Sequence, residues 1–525
     1  MTSRWIALAL SIALAGSAGA APGDRVDVVR DLAGRVGPVV GAALACPDIG
    51  RPRIQAIVYK FATVINEATS NEAERNELTQ LLDRTVADGR RAVTAGQTDC
   101  GSADRRLAEL ERSITAVNPS GAASPSATSP GATSPAATQA PRIAAATGAT
   151  GATVRGVTDK EIRFGISAPF SGPAKELGRQ MKLGIDTAFN RVNEAGGVDG
   201  RMLRLIAADD GYEPTRTAET MKQLYDKDQV FGIIGNVGTP TAVVAVPYAL
   251  ERKLLFFGAF TGANVLRRDP PDRYVFNYRA SYSEETDAVV RYLVKVRRIQ
   301  PKQIAVFAQE DAYGDAGFAG VAKAMRTLNP RDSTVLRLNY KRNTVDVDDA
   351  INQLRASKTP IKAVVMVATY RAAAKFIEKT HTSYPGLLYT NVSFVGSTAL
   401  ADELMLLGPR YATGVIVTQV VPAVSGYSSA ILEYKTALAK YFPGEAPDYV
   451  SLEGYVTANL LIQALKRTGP QLDTEKLVDT LESMSGIDMG LGASLSFGRS
   501  EHQASHKIWG TALDETGKYQ AIELE

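Results

Sequence analysis

Hydrophobic residues change their spacing near residue 150, and the two spacings predict two kinds of domain. Before that point they recur every three or four residues in four separate stripes, as in amphipathic helices. The stripes cover residues 29–40, 54–65, 78–86 and 107–117. Because each stripe has to be buried against another, we expect residues 24–117 to form a small all-α domain.

Beyond residue 154, short apolar runs alternate with helical patterns, which is the rhythm of an α/β protein. The runs are nearly continuous, as expected of parallel strands that are covered on both faces. The predicted strands are residues 162–168, 203–208, 230–235, 254–257, 303–308, 363–368, 389–395 and 415–420. Predicted helices include residues 217–226, 283–296, 316–328 and 372–380. The unit at residues 162–208 reads as strand, helix and strand, which requires a parallel sheet with right-handed crossovers.

Two further segments are expected to lie outside these domains. Residues 1–20 combine a positive charge at Arg4, a short apolar stretch and small residues at 18–20, which together predict a signal peptide. The apolar stretch is shorter than the ~20 residues that a membrane-spanning helix needs. Residues 118–152 are almost entirely Ala, Ser, Thr, Pro and Gly, a composition that predicts a flexible, disordered linker. The mature protein is therefore expected to be exported to the periplasm.

The two cysteines of the chain, Cys46 and Cys100, both fall in the predicted helical domain. In an oxidising compartment such a pair favours a structural disulfide. Closing the loop between them stabilises a domain by about 4 kcal/mol in the chain-entropy model. A redox-active pair is the alternative, but neither a C-x-x-C spacing nor a neighbouring histidine supports it. The partner of this domain is unknown, and docking to another protein or capping of the main domain both remain open.

Charge and motif content exclude several classes of function. A net charge of +3 over 525 residues, with no basic run, argues against nucleic-acid binding. No serine lies in a G-x-S-x-G elbow. His502 and His506 have the i, i+4 spacing of a helical metal pair but lack the zincin glutamate, which favours surface histidines. Residues 314–320 are glycine-rich without a P-loop lysine. No enzyme, metal site or cofactor is therefore predicted.

Three predicted strands are followed by loops that carry hydroxyl or aromatic side chains, at residues 235–241, 258–261 and 368–371. In α/β sheets, ligands bind beyond the carboxyl ends of strands, where loops and helix N-termini present free N–H groups. Hydroxyls and N–H groups at a helix start suit a carboxylate. Taken singly, each threonine is equally compatible with a helix cap, and each tyrosine with packing at a lobe edge.

Three motifs together resemble the leucine/isoleucine/valine-binding protein family, the periplasmic solute receptors of ABC importers. They are SGP at residues 171–173, NEAGGVDGR at 193–201 and DDGYEP at 209–214. The resemblance covers residues 154–525 and implies a type I periplasmic-binding-protein fold with two doubly wound lobes. The chain would cross between the lobes three times, near Ala280, Pro422 and Phe497. Lobe 1 would then hold residues 158–280 and 422–497, and lobe 2 residues 281–421 and 498–525.

The same resemblance implies which side chains meet the solute. The loops that hold the ligand carboxylate in amino-acid-binding members correspond to Thr239, Ala259 and Thr261. Aromatic contacts from the opposite lobe correspond to Tyr313 and Tyr370. Phe260 is a further aromatic candidate for lining the cleft. Where some members place an aromatic residue after the SGP turn, this chain has Leu177.

One position departs from the family pattern. Amino-acid-binding members pair the ligand ammonium with a carboxylate, and Thr398 stands where that acid is expected. A buried ammonium without a charged partner is costly. Either Glu284, Glu310 or Asp311 substitutes for the acid, or the solute has no ammonium. The departure favours a carboxylate or amide solute other than a standard α-amino acid, with aromatic acids among the candidates.

These observations predict a solute-binding protein of a branched-chain-amino-acid-type ABC importer. It would act as a monomer, close its lobes on a small solute and dock on an inner-membrane permease. A periplasmic sensor with the same fold is the alternative, favoured by the additional helical domain. A hydrolase on a similar scaffold is more remote, because it requires a nucleophile and a base that the sequence does not offer.

Overall fold

The computed structural model describes residues 22–524 except 47, 50–52, 55–56, 59–60, 62–63, 66–67, 70–71, 116–153 and 329–333. The predicted signal peptide, residues 1–20, and the predicted linker, residues 118–152, lie outside the described residues. The chain divides into two compact units, one within residues 1–145 and one within residues 146–525. No helix of the described ranges is long and apolar enough to cross a membrane.

All secondary structure described in the first unit is helical. Its helices are α1 (Pro22–Leu44), α2 (Glu72–Thr94) and α3 (Cys100–Thr115), and Ile54, Ile57 and Phe61 also lie in helical turns. Their apolar faces meet in one core, in which Val29, Leu78 and Leu107 are fully buried. The predicted disulfide is present: Cys46, just after α1, is bonded to Cys100, the first residue of α3.

The second unit contains two large sheets, one in each of two lobes, and a small two-stranded ribbon. Lobe 1 holds a parallel five-stranded sheet in the order β2-β1-β3-β4-β5. Its strands are β1 (Glu161–Ala168), β2 (Met202–Asp209), β3 (Gly232–Ile234), β4 (Leu255–Phe257) and β5 (Val275–Phe276). Strands β3, β4 and β5 are buried along their whole length, which matches their continuous apolar sequences.

Lobe 2 holds a seven-stranded sheet in the order β14-β13-β10-β9-β8-β6-β7. Its parallel part consists of β6 (Ile304–Gln309), β7 (Leu336–Tyr340), β8 (Ala363–Val367), β9 (Leu388–Asn391) and β10 (Ile416–Gln419). At one end of the sheet, β13 (Trp509–Leu513) pairs antiparallel with β10, and the edge strand β14 (Tyr519–Ile522) pairs antiparallel with β13. A small ribbon of β11 (Ile487–Asp488) and β12 (Ser494–Leu495) lies apart from both sheets.

Helices connect the strands and cover the sheets, as in other doubly wound folds. In lobe 1 they are α4 (Lys175–Glu194), α5 (Pro214–Lys222), α6 (Thr239–Glu251), α13 (Ser429–Tyr441), α14 (Tyr449–Thr468) and α15 (Thr474–Glu482). In lobe 2 they are α7 (Tyr282–Arg291), α8 (Ala312–Leu328), α9 (Asp348–Ala356), α10 (Tyr370–His381), α11 (Ser397–Leu407) and α12 (Pro409–Ala412). Short π-helical turns at Gln223–Lys227 and Tyr292–Val296 extend α5 and α7, and 3₁₀ turns occur at Asn264–Leu266, Pro301–Gln303 and Ser393–Val395.

Several helix starts follow from short-range sequence signals. Ser281 caps α7 in a capping box with Glu284, and Asp448 and Asp473 cap α14 and α15 with their carboxylates. Proline opens α5 and occupies the first turn of α6, where a missing N–H has no cost. These signals set where each helix begins relative to the end of the preceding strand.

Three connections link the lobes. The first passes through Tyr278 and the second through Val420, and the Tyr278 hydroxyl donates to the Val420 carbonyl at 2.9 Å. The third lies several residues after the predicted position, Phe497. Residues up to Ser505 still pair with the first connection, since Ser505 N–H donates to the Tyr278 carbonyl at 2.9 Å. The reason is aromatic packing: the His502 ring stacks on Phe276 of lobe 1 at 3.8 Å.

Candidate functional site

The carboxyl ends of the parallel strands of both sheets face the cleft between the lobes. From lobe 1 the loops after β1, β2, β3 and β4 reach it, and from lobe 2 the loops after β6, β7, β8 and β9. Contacts between the two sets of loops show that the cleft is closed. Gln309 of lobe 2 donates to the Tyr212 hydroxyl of lobe 1 at 3.0 Å, and both side chains are fully buried.

Two of the predicted carboxylate-binding residues form a direct pair. The Thr239 and Thr261 hydroxyl oxygens lie 2.7 Å apart and share a hydrogen bond, and both side chains are buried. Thr239 begins α6, and no side chain caps this helix start. Thr261 follows Ala259 and Phe260 in the loop after β4, where both are buried. This arrangement places hydroxyls and the positive end of a helix dipole at one point, which suits a carboxylate.

The loop after β3 and Tyr212, in the loop after β2, can approach each other closely because residue 238 is glycine. Gly238 has φ 106°, and a Cβ there would lie 2.3 Å from the Tyr212 ring. Only glycine adopts this backbone conformation without strain, and only glycine leaves room for the ring. The Gly-Thr sequence at 238–239 therefore both turns the chain into α6 and lets Tyr212 reach the cleft.

The two predicted tyrosines come from lobe 2 and are both buried. Tyr313 lies in the first turn of α8, with its ring 4.6 Å from Phe394 and its hydroxyl 3.5 Å from the Ala368 carbonyl. Tyr370 is the first residue of α10, and burial raises its pKa to about 12. Tyr313 thus joins the aromatic centre of the cleft.

Leu177 and Tyr370 meet from opposite lobes at Gly396. A Cβ on Gly396 would lie 2.6 Å from Leu177 Cδ2 and 3.6 Å from Tyr370 Cδ1. Gly396 itself has φ 79°. Leu177, in the first turn of α4, is fully buried. The residue that stands in place of an aromatic side chain is therefore part of the closed lobe interface.

Thr398 lies in the first turn of α11 and is half-buried. Its side chain packs against Asp448 of lobe 1. Burial raises the pKa of Asp448, and hydrogen bonds from Thr398, Ser451 and Val450 oppose that rise. The Asp448 carboxylate also accepts from the backbone N–H groups of Val450 and Ser451, at 2.6 and 3.1 Å. The acid opposite Thr398 thus already serves as the cap of α14.

The three acids considered as substitutes for Thr398 have other surroundings. Glu284 accepts from Ser281 and lies 2.6 Å from His506 Nδ1, at the connection between the lobes. Glu310 is exposed. Asp311 accepts from Arg342 at 2.9 Å and from the Tyr313 N–H at 3.0 Å. Each of the two buried or half-buried acids, Glu284 and Asp311, therefore already has hydrogen-bond donors.

Sequence reasoning missed Arg279, which lies in the first connection and is fully buried. Its Nη2 donates to Glu285 at 3.1 Å and to the Ser393 hydroxyl, and its Nη1 lies 3.6 Å from Glu453. Its guanidinium also lies over the Phe260 ring, 4.9 Å from the centroid. An arginine is usually found at the surface, so no pattern in the sequence marked this one as buried.

Phe394 was also missed, because the strand predicted at 389–395 ends at Asn391 and a 3₁₀ turn follows. This turn directs Phe394 into the cleft between aromatic rings of both lobes. Its ring stacks on Phe260 at 5.1 Å and lies 6.0 Å from Tyr212. The centre of the cleft is consequently aromatic on both sides.

Of the two histidines expected at the surface, His506 is exposed, whereas His502 is buried. His502 stacks on Phe276, and His506 lies 2.6 Å from Glu284 and 3.2 Å from Glu501. Both are in the extended third connection and not on a helix. In the described part of the chain, no three His, Cys, Asp or Glu side chains converge as metal ligands would.

Comparison with known proteins agrees with this architecture. The Periplasmic binding protein family model matches residues 161–518. A Leu/Ile/Val-binding protein, BraC3, of Rhizobium johnstonii is 25% identical over 372 residues, which are 69% of this chain and 94% of that protein. Among solved structures, a possible leucine/isoleucine/valine-binding protein from Rhodopirellula baltica is 39% identical, with a TM-score of 0.67. The match covers 71% of this chain and 99% of that structure.

A more distant structure shares the fold alone. It is a branched-chain amino acid ABC transporter protein from Thermus thermophilus, 16% identical with a TM-score of 0.60 over 69% of this chain and 95% of that one. The family-model match spans well over half of the chain and includes both sheets and the cleft. The chain therefore belongs to the periplasmic binding protein family, among the Leu/Ile/Val-binding type of ABC-transporter solute-binding proteins.

Proposed function

We propose that this chain is the periplasmic solute-binding protein of an ABC importer of the branched-chain amino acid type. It binds a small carboxylate or amide solute, an amino acid or an aromatic acid, between its lobes. The observation that supports this most is the buried pair of Thr239 and Thr261 hydroxyls at the uncapped start of α6. Tyr313 and Tyr370 belong to the opposite lobe, so a solute held by both sets of residues would be enclosed by both lobes.

In this proposal the protein carries out no bond chemistry. Solute binding favours the closed lobes, and the closed form docks as a monomer on an inner-membrane permease. The relatives' printed names describe binding proteins, which agrees with a transport role. Turnover of an ester or amide substrate by the purified protein would contradict it.

The test is a ligand screen on the chain from residue 21, after removal of the predicted signal peptide. Amino acids, aromatic acids, amides and small dicarboxylates are added singly, and the melting temperature is recorded. A solute present at 100 times its dissociation constant raises stability by about 2.7 kcal/mol, which moves the melting temperature by several degrees. A stoichiometric heat of binding by titration calorimetry then confirms each hit. Absence of any binding solute would refute the proposal.

A periplasmic sensor is the second candidate. The family model begins at residue 161, so it does not include the disulfide-bonded helical unit. An additional unit of this kind suits a protein that reports a ligand to a receptor. The two functions differ in the genes nearby: permease and ATPase genes favour import, whereas a signalling gene favours sensing.

A further inference from the structure

The Arg279 side chain is fully buried, yet only part of its donor capacity is used. Nη2 donates to Glu285 and Ser393, whereas Nε and Nη1 have no hydrogen-bond acceptor among the described residues. Nη1 lies 3.6 Å from Glu453, beyond hydrogen-bond length. A guanidinium has five N–H donors, and leaving buried donors without acceptors is costly. These two nitrogens are therefore suited to an acceptor that enters the cleft.

Arg279 lies beside the threonine pair. Arg267 donates to the Thr261 carbonyl at 3.3 Å and to the Arg279 carbonyl at 2.9 Å, which ties the two backbones together. Tyr282, with its ring centroid 5.8 Å from the Arg279 guanidinium, donates its N–H to the Gly262 carbonyl next to Thr261. The hydroxyl pair and the guanidinium thus belong to the same part of the cleft.

Glu285, Asp448 and Asp311, which are acids near this part of the cleft, already interact with donors of the protein. Glu285 accepts from the Ser393 N–H at 2.8 Å and from the Thr418 hydroxyl at 2.5 Å, besides its pair with Arg279. Asp448 caps α14, and Asp311 pairs with Arg342. Of the other acids, Glu310 is exposed, and the Glu453 carboxyl group lies 3.6 Å from Arg279 Nη1. An ammonium group entering this site would meet the Arg279 guanidinium, and the two acids beside it, Glu285 and Glu453, already face that guanidinium.

The walls of this part of the cleft are planar and apolar. Phe260 and Phe394 stack at 5.1 Å from opposite lobes, and Tyr313 packs on Phe394 at 4.6 Å. The Arg279 guanidinium lies over the Phe260 face. Aromatic faces of this kind favour a flat hydrocarbon body next to the charged group.

We infer that Arg279 is the cation that receives the solute carboxylate, and that the solute is an organic acid without an ammonium group. This inference rests on the proposed function and specifies its ligand class. Thr239 and Thr261 supply neutral donors to the same carboxylate, and the aromatic rings enclose the rest of the molecule. Thr398 then needs no acidic substitute, because no ammonium has to be paired.

Glu453 predicts a pH dependence of solute binding, which is a second way to test the inference. Burial raises the pKa of Glu453 to about 7, although Arg279 and Arg267 oppose the rise and Glu285 adds to it. Tyr278 also faces this carboxyl group. When Glu453 is protonated, its competition for Arg279 disappears and an anion is bound more favourably. Affinity for an acid should therefore increase as the pH falls through about 7.

Matched pairs of probes test the ligand class directly. 4-Methylpentanoate and L-leucine differ in the ammonium, as do 3-phenylpropanoate and L-phenylalanine, whereas benzoate and benzamide differ in the charge of the carboxylate. We expect at least one of the three acids to bind, about tenfold or more tighter than its partner. Equal or tighter binding of the amino acid or the amide would overturn the inference. In that outcome the proposed function still stands, since a solute binds.

Variants test whether Arg279 binds the solute carboxylate. Arg279→Gln combined with Glu453→Gln removes one buried cation and one buried anion together, and Glu285 keeps its donors from Ser393 and Thr418. This double variant should retain its melting curve and lose affinity for the acid about tenfold or more. Glu453→Gln alone should bind the acid at about pH 8 as tightly as the parent does at about pH 6, which removes the pH dependence.

Three results would contradict the role of Arg279. They are unchanged acid affinity in a folded double variant, an unchanged pH profile in Glu453→Gln, and a response confined to solutes with an ammonium. If Thr239→Val abolishes binding while the double variant does not, the proposed function stands and Arg279 is a structural residue of the connection. If no probe and no solute of the wider screen binds either protein, both the inference and the proposed function fail.

Discussion

Glu213 of lobe 1 lies 2.9 Å from Arg342 Nη2 of lobe 2, across the mouth of the closed cleft. Asn343 of lobe 2 donates to the same carboxylate at 2.6 Å and to the Gly211 carbonyl at 3.1 Å. Arg342 is held in place by Asp311, 2.9 Å from its Nη1. These bonds connect the loop after β2 with the loop after β7, so they exist only while the lobes are closed.

Glu213→Gln should consequently weaken solute binding without changing the solute contacts. The pair is partly exposed, so the expected loss is about 0.5–1 kcal/mol, or about two- to fivefold in dissociation constant. Titration calorimetry at low and high salt measures it, and added salt should reduce the difference between variant and parent.

Glu445→Gln is the matched control for this variant. Glu445 pairs with Arg179 at 2.9 Å, but both residues belong to lobe 1. Removing this pair changes a surface ion pair of similar exposure without affecting lobe closure. An equal loss of affinity in both variants would show that the Glu213 contact does not stabilise the closed form.

The Thr239–Thr261 pair gives a second prediction. Thr239→Val with Thr261→Val keeps the shape of both side chains. Because both hydroxyls are removed together, neither threonine is left with a hydroxyl that lacks its partner. The solute then loses two donors, and affinity should fall by about 1–3 kcal/mol, or about five- to 150-fold. Binding is measured by calorimetry and stability by thermal melting.

Thr187→Val serves as the control. Thr187 is also fully buried, but its hydroxyl donates to the Leu183 carbonyl of its own helix, α4. Its removal should lower the melting temperature slightly and leave the affinity unchanged. Parent-like affinity in the cleft double variant would remove the threonine pair from the binding site.

The predictable part of the site consists of residues whose positions follow from strand ends. Thr239, Thr261 and Tyr370 come directly after apolar strands, and parallel strands bring their carboxyl ends to one edge. The sequence pattern therefore places such residues without knowledge of the contacts they make. Gly317 and Gly320 lie within α8, as the helix predicted at residues 316–328 requires.

Arg279 and Phe394 could not be found in this way, for physical reasons. The burial of Arg279 depends on Glu285 and Ser393, which are up to 114 residues away in the sequence. Phe394 continues an apolar run, so nothing local indicates that a 3₁₀ turn replaces the end of the strand. The third connection was likewise placed too early, because the stacking of His502 on Phe276 involves residues far apart in the chain.

The pair of His506 and Glu284 predicts how stability depends on pH. The hydrogen bond to Glu284 raises the pKa of His506 above 6.5, although burial opposes this. Its contribution is therefore complete below pH 6.5 and is lost as the pH rises through the folded value. Burial alone would raise the pKa of Glu284, but hydrogen bonds from His506, Ser281 and Gln503 lower it to about 2. Its contribution is lost only in acid, as the pH falls from 4.5 through about 2.

Urea unfolding between about pH 5 and pH 9 tests the direction of this pH dependence, because the free energy of unfolding should decrease on the alkaline side of pH 6.5. Trp509 is the one tryptophan that remains after removal of residues 1–20, so its fluorescence reports on the second unit. His506→Gln should reduce the slope of the free energy of unfolding against pH in this range. His381→Gln, which alters a histidine packed on Tyr411 at 5.1 Å, should keep it. An unaltered slope in His506→Gln would assign the pH dependence to another group.

Gly396 offers the sharpest test of closure. In Gly396→Ala the new Cβ would lie 2.6 Å from Leu177 Cδ2 of the opposite lobe, so the closed form has to shift or open. The positive φ of 79° adds backbone strain of about 1 kcal/mol in either form. We therefore expect affinity to fall by about tenfold or more, together with a larger radius of gyration by small-angle scattering in the presence of solute.

Two further variants separate the clash from the strain. Gly414→Ala has a similar φ of 84° in lobe 2, but its Cβ would meet nothing within 4 Å, so it should lose stability and keep its affinity. Leu177→Ala in the Gly396→Ala background removes the Leu177 methyl group that the new Cβ would approach too closely. It should restore closure and part of the affinity. If Gly414→Ala weakens binding equally, or if Leu177→Ala restores nothing, backbone strain and not contact between the lobes controls the affinity at Gly396.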